Sequence, residues 1–303
     1  MSKLWKLISI ALVLMLSLIS ACSHEAAPGG ITDGLGRTVD IEEIPQRIVS
    51  LAPSNTEFLF ALGLGDRVVG VTEHCNYPKE AKLKEKVGGY SAVDIEKVIS
   101  LSPDLVLADS IHEKTVIPQL EEVGLVVFAL NPKGLPDILQ DITLVGEITG
   151  RKKQASQLVA ELSSRIEAIT ATAGALPETQ RPRVFNLTWH DPIWTSGSGT
   201  LADELIQKAG GVNIAHDATG YKVIDLEIVI DRNPEIIIAC TGHGEAENLP
   251  FEWATTEPRL ENIEARRDGR VYLIDADLIG RSGPRAVDAL ELLAWFIHPE
   301  IFR

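Results

Sequence analysis

Four of the seven histidines, His74, His112, His190 and His243, fall in segments that follow apolar runs. Imidazoles gathered in loops are where a metal centre or an acid–base site would start. No two stand at an H-x-H or H-x-x-x-H spacing, so each reads first as a hydrogen-bonding or solvated residue and no metal site is expected. The same segments carry Ser54, Asn55, Asn76, Asp109, Asp191, Asp277 and Arg281, together with Tyr77, Tyr90, Trp189, Trp194 and Tyr221. Phe251 and Trp253 lie close by in sequence. Aromatic residues make up 5% of the chain, so their concentration outside the apolar runs is informative. Aromatic faces with polar neighbours suit a large, flat, partly apolar ligand edged with hydrogen-bonding groups.

Catalytic signatures are missing. Ser196–Gly197–Ser198–Gly199 has the composition of a nucleophile elbow but not its order. Gly63–Leu64–Gly65 follows a helical stretch and reads as its stop signal. Nothing pairs a nucleophile with a base, so no catalytic residue is expected. A secreted α/β enzyme using His190 and Asp191, and a zinc or manganese receptor, stay open as other classes.

A repeated unit positions these segments. Gly89–Tyr90 begins a stretch running through Asp94–Ile95–Glu96 and Pro103–Asp104 to Leu105–Val106–Leu107–Ala108. Gly220–Tyr221 begins a second, through Asp225–Leu226–Glu227 and Pro234–Glu235 to Ile236–Ile237–Ile238–Ala239, with the shared residues at identical offsets. Arg47–Ile48–Val49–Ser50–Leu51 is likewise echoed by Arg183–Val184–Phe185–Asn186–Leu187. Short apolar runs alternate with helical stretches in both halves, which predicts mainly parallel sheets covered by helices. Residues 33–150 and 182–303 are therefore read as two similar open α/β lobes. Between them, residues 151–175 lack Pro, and Leu158, Leu162, Ile166 and Ile169 recur at helical spacing. This is a long connecting helix spanning roughly 30 Å.

Local signals fill in the lobes. Ser54 with Glu57 predicts an N-cap for the first helix, and His112 to Val123 a further helix. Asp94 and Asp225 are expected to cap the two repeated helices. In open parallel sheets, ligands bind outside the carboxyl ends of the strands. The expected cleft segments are Ala52–Asn55, Thr72–Tyr77, Asp109–His112 and Asn131–Lys133, and then Trp189–Trp194, Thr241–Glu245 and Asp275–Ser282. Glu96 and Glu227, early in the repeated helices, are stabilised there by the helix dipole. As a matched pair they also offer two acidic points to one partner.

The chain has 303 residues, 45% hydrophobic and 23% charged, with a net charge of −15. That is a globular composition, and the charge argues against nucleic acid as a partner. Residues 1–22 read as a lipoprotein signal: basic Lys3 and Lys6, an apolar core from Leu7 to Ile19, and Ile19–Ser20–Ala21–Cys22, with Cys22 the lipidated residue. Such an anchor would tether the protein to the outer face of a bacterial membrane or to its periplasmic side. Residues 23–32 make a flexible leash. Cys75 and Cys240 sit in different halves and read as free, partly buried thiols.

The two lobes, the connecting helix and the lipobox resemble the substrate-binding lipoproteins of ATP-driven (ABC) importers, in the class with a rigid helical hinge. The run from Arg47 to Glu57, followed by Gly70–Val71–Thr72 and Cys75–Asn76–Tyr77–Pro78, is most similar to the vitamin B12-binding branch. The resemblance implies a monomeric extracytoplasmic receptor that holds cobalamin between its lobes, with haem or ferric siderophore as alternatives. It implies no cofactor beyond that cargo. Glu96 and Glu227 would dock on arginines of the permease. Pro53, Ser54, Asn55 and Tyr90 would meet the ligand from the first lobe, Tyr90 standing where Trp is frequent. Asn76, Tyr77, Asp109, Trp189, His190, Trp194, Tyr221, His243 and Arg281 complete the expected set. The family's second-lobe disulfide is unmatched, because Cys240 has no partner in its own half.

Overall fold

The computed structural model describes residues 30–241 and 248–302, and the signal segment, Cys22 and His243 lie outside them. The described chain begins at the end of the leash. There β1 (Ile31–Thr32) pairs antiparallel with β2 (Thr38–Val39).

The first lobe is a parallel five-stranded sheet. It holds β3 (Ile48–Ser50), β4 (Val68–Val71), β5 (Glu85–Lys86), β6 (Leu105–Asp109) and β7 (Val127–Leu130), in the order β5-β4-β3-β6-β7. Its central strands are apolar without alternation because both faces are covered. Leu105 and Leu107 pack to one side of β6, Val106 and Ala108 to the other.

The second sheet contains β8 (Arg183–His190), β9 (Ile193–Ser196), β10 (Val212–Asn213), β11 (Tyr221–Val223), β12 (Ile236–Cys240) and β13 (Val271–Ile274). β8, β12 and β13 run parallel, while β9 and β11 return antiparallel as a ribbon on one edge. The segment Trp189–Trp194, expected as a loop, is thus mostly strand. Trp189 and Trp194 stand opposite each other across the β8–β9 pair.

The sequence repeat has a structural meaning beyond equal order. The helix Ile95–Ser100 precedes β6, and the helix Leu226–Arg232 precedes β12. Each is followed by a non-glycine residue in the left-handed region, Ser102 at φ 47° and Asn233 at φ 41°. The acid after each proline then ties the helix exit to the neighbouring strand. Arg47 N–H donates to Asp104 Oδ1 at 2.9 Å and Arg183 N–H to Glu235 Oε2 at 2.8 Å. The same arginines reach back through Nε, to the Ser102 and Asn233 carbonyls, each at 3.0 Å.

Capping departs from expectation. Asp94 accepts from Lys97 N–H at 2.9 Å, but Asp225 makes no side-chain cap bond. Ser54 is not a cap either. Ala52 occupies that position and Pro53 opens the helix Pro53–Ala61, using the fixed φ that suits a first turn. The segment His112–Val123 is helical only from Val116 to Glu122. Within Asp275–Ser282, Asp275 accepts from Asp277 N–H and starts the short helix Ala276–Gly280.

The helix Leu135–Ile148 leads through Gly150 into the helix Lys152–Gly174, which joins the lobes. At 1.5 Å per residue the latter is about 34 Å long. Leu162 and Ile169 are buried, with Leu158 and Ile166 packed beside them. Arg165 pins it to the last helix, Ala286–Ile297, through Glu291 at 2.7 Å and through Asp288. A helix held this way along much of its length bends little.

Candidate functional site: a cleft between the lobes

The loops at the carboxyl ends of both sheets face one another across a cavity of about 560 Å³. Ser54, His74, Tyr90, Asp109 and Lys133 line it from the first lobe, and Thr200, Tyr221 and Arg281 from the second. Tyr90 and Tyr221, at equivalent places in the repeat, both present their rings there.

The Tyr90 segment is held by His112. Asp109 N–H donates to His112 Nδ1 at 3.0 Å, so the ring proton sits on Nε2 and is donated to the Tyr90 carbonyl at 2.7 Å. The two rings meet edge to face at 5.6 Å. Burial lowers the His112 pKa, which keeps this neutral tautomer. With both nitrogens engaged, His112 supports the cleft and is unavailable to a metal. Burial and the neighbouring Asp109 carboxylate push the Tyr90 phenol up, so it stays a neutral hydroxyl. Among the described residues no cluster of three or more His, Cys, Asp or Glu could hold a metal ion.

A second chamber of about 360 Å³ opens from the cleft into the second lobe, sharing Tyr221 and Gly280 with it. Trp189 and Trp194 line this annex. The described part of the expected set therefore divides. Pro53, Ser54, Tyr90, Asp109, Tyr221 and Arg281 line the cleft, and Trp189, Trp194 and again Tyr221 line the annex.

Four expected residues do other work. Asn55 is fully buried and donates to the Ala108 carbonyl at 2.7 Å, tying the first helix to β6. Asn76 bridges the lobes, donating to Asp277 Oδ2 and accepting from Arg281 Nη1, each at 2.7 Å. The Tyr77 ring lies under the Arg285 guanidinium, 4.0 Å from it and beside the connecting helix. His190 packs on Trp189, its Nδ1 buried without a hydrogen-bond partner.

A buried ion pair joins the lobes beside the connecting helix. Glu57, 3% exposed, accepts from Arg285 Nη2 at 2.7 Å and Nε at 3.0 Å, with Arg281 at 3.5 Å. A third bridge runs from Leu135 N–H to Glu204 Oε2 at 3.0 Å. Gly134 has no side chain because a Cβ there would collide with that carboxylate. Sequence reasoning missed the roles of Glu57, Arg285 and Glu204, while Lys133 lines the cleft within the expected segment Asn131–Lys133. Glu57 and Arg285 pair with each other, and Glu204 with Leu135 N–H, across long sequence distances, and local spacing carries no trace of such pairs.

Glu96 and Glu227 are exposed in the first turns of their helices. Neither is in an ion pair among the described residues. They stand in the same place on each lobe.

Asp141, in the helix Leu135–Ile148, is 5% exposed, and its Oδ2 has no hydrogen-bond partner. Burial first, then the charges of Asp137 and Asp109, push its pKa up to about 7. A raised carboxyl favours folding most at low pH, and that contribution is lost as pH rises toward 7. Asp141→Asn is expected to remove this slope and to be more stable than wild type above pH 7 by roughly 2 kcal/mol. Urea midpoints at pH 5 and pH 8 test it. An unchanged difference between the proteins at the two pH values contradicts the assignment.

Residues 48–278 match the family described as periplasmic binding protein, and the chain belongs to that family. An uncharacterized ABC transporter substrate-binding lipoprotein of Bacillus subtilis, YvrC, is 38% identical over 92% of this chain and 88% of its own. A vitamin B12-binding protein of Vibrio vulnificus is 30% identical over 84% and 91%. Among solved structures, the periplasmic heme-binding protein RhuT of Roseiflexus superposes with a TM-score of 0.74. It is 28% identical, covering 84% of this chain and 98% of that one. The chain is thus an extracytoplasmic substrate-binding protein of an ABC importer, not an enzyme. Among the described residues no helix is long and apolar enough to cross a membrane.

Proposed function

We propose that this receptor captures a corrinoid of the cobalamin class and delivers it to an importer permease, while anchored to the membrane through lipidated Cys22. The observation that carries the reading is the charge balance of the cleft rim. Among its described lining residues, Lys133 is the one lysine or arginine outside an ion pair. Arg281 is taken up by Asp277 at 2.7 Å and by Glu57. Asp109 adds one carboxylate to the same rim. A corrin macrocycle is edged with neutral amides, which both donate and accept, and a rim of hydroxyls with one acid and one base suits them. Haem carboxylates and anionic siderophores ask for spare cations, and the described rim offers Lys133 alone. Tyr90 and Tyr221, which line the cleft from opposite lobes, supply aromatic groups that suit a flat ring.

Titration of the purified protein with cyanocobalamin, haemin and ferric siderophores, followed by tryptophan fluorescence, tests the reading. Saturable quenching by cyanocobalamin at or below micromolar concentration is expected. No response to any corrinoid at that concentration removes it.

A further inference from the structure

The annex has a more specific shape than a flat macrocycle requires. Its floor is one face of the second sheet. Cross-strand neighbours share a face, so Trp189, Trp194 and Tyr221 stand on one side of the β8–β9–β11 ribbon. The facing wall is built from small residues, Ala202, Ala276 and Gly280, with Ile279. Large flat rings opposite small side chains leave a slot.

Several of the polar groups around this slot are committed within the protein. Trp189 Nε1 donates to the Asp191 carbonyl at 2.9 Å. Asn186 gives its amide to the Ile238 carbonyl at 3.3 Å and accepts from Ser196 Oγ at 2.5 Å. Thr241 Oγ1 accepts from Ala276 N–H at 2.9 Å. Burial pushes the Cys240 thiol up to about 12, so it is neutral. What the slot offers is mainly ring faces, with the hydroxyls of Thr188, Thr241 and Tyr221 beside them. Its 360 Å³ lies within the range of cavities that enclose small-molecule ligands. A guest that fills it is planar and aromatic, with at most a few hydrogen bonds to those hydroxyls.

We propose that the annex is a subsite for a heteroaromatic base carried beneath the ligand's macrocycle, so that the protein selects base-bearing corrinoids over base-free ones. The inference rests on the corrinoid reading above. A complete cobalamin suspends a benzimidazole below the ring, with both nitrogens of that base already bonded. A macrocycle between Tyr90 and Tyr221 with its lower face toward the second lobe places the base at the annex mouth. Gly280 frames that mouth, where an added Cβ would come within 4.0 Å of the Tyr221 hydroxyl.

The test compares cyanocobalamin with dicyanocobinamide, which lacks the nucleotide and its base. Wild type is expected to bind cobinamide about ten- to hundredfold more weakly, the range for losing one base stacked on aromatic side chains. Ala276→Leu, which fills the slot from a wall residue that does not line the cleft, should weaken cobalamin toward the cobinamide value and leave cobinamide within about threefold. If Ala276→Leu does not fold by circular dichroism, Trp194→Ala removes part of the floor from an exposed position, and the same collapse of the difference is expected. Equal affinities of wild type for both corrinoids overturn the subsite alone, as does an equal loss for both in the variants. Binding of neither corrinoid overturns the corrinoid reading and the subsite with it.

Discussion

Glu57→Gln is expected to lower the free energy of unfolding by about 3–5 kcal/mol, the range for removing one partner of a buried ion pair. The carboxylate is 3% exposed and takes both Nη2 and Nε of Arg285, with Arg281 close behind. Without its charge, a guanidinium that is 15% exposed would stay desolvated and unpaired. Glu57 belongs to the first lobe and both arginines to the second, so the loss also removes one of the polar contacts between the lobes. Urea unfolding measures the effect. The double variant Glu57→Leu/Arg285→Met should recover much of the loss, because replacing both members of a buried pair by apolar residues is frequently neutral or stabilising. An unfolding curve for Glu57→Gln that overlays wild type contradicts the role assigned to the pair.

The double substitution Glu96→Ala/Glu227→Ala is expected to abolish ligand uptake by cells that depend on this receptor. Ligand affinity should stay within about twofold of wild type. Neither residue lines the cleft or the annex, and each stands exposed on the first turn of its repeated helix. An exposed ion pair contributes about 0–1 kcal/mol, so two of them would fix the register and speed of encounter with the permease more than its affinity. Charge reversal of the matching permease arginines, combined with Glu96→Arg/Glu227→Arg, should restore part of the uptake. Uptake unaffected by the alanine pair contradicts the docking role, and so does a fall in ligand affinity.

The fold was legible because the sequence repeats itself. Gly-Tyr, Asp-x-Glu and Pro-acid recur at one offset, and each has a local physical task. The tyrosine faces the cleft, the glutamate faces out, and the acid after proline holds the arginine that starts the next strand. The lining tyrosines and tryptophans could be read for the same reason, since large aromatic residues beside strand ends have few other places to go. What stayed hidden depended on distance. Ser54 and Glu57 have the spacing of a capping box, yet Glu57 is committed to Arg285, 228 residues away. Asn55 and Asn76 looked like ligand groups because polar residues near strand ends look alike, whether they face a cleft or bond to the backbone or the other lobe. Trp189–Trp194 passed for a loop because its two strand ends are short and joined by Asp191–Pro192. The annex had no signature at all, since its decisive wall consists of Ala202, Ala276 and Gly280, residues remarkable only for what they leave out.

The central claim is that the cleft takes a corrinoid in preference to haem. The most direct test mixes the purified mature protein with equimolar hydroxocobalamin and haemin, removes unbound ligand by gel filtration and records the absorption spectrum of the protein peak. The account predicts corrin bands at one ligand per chain and no Soret band of haem. A haem Soret band in the protein peak, or a peak without either chromophore, would contradict it.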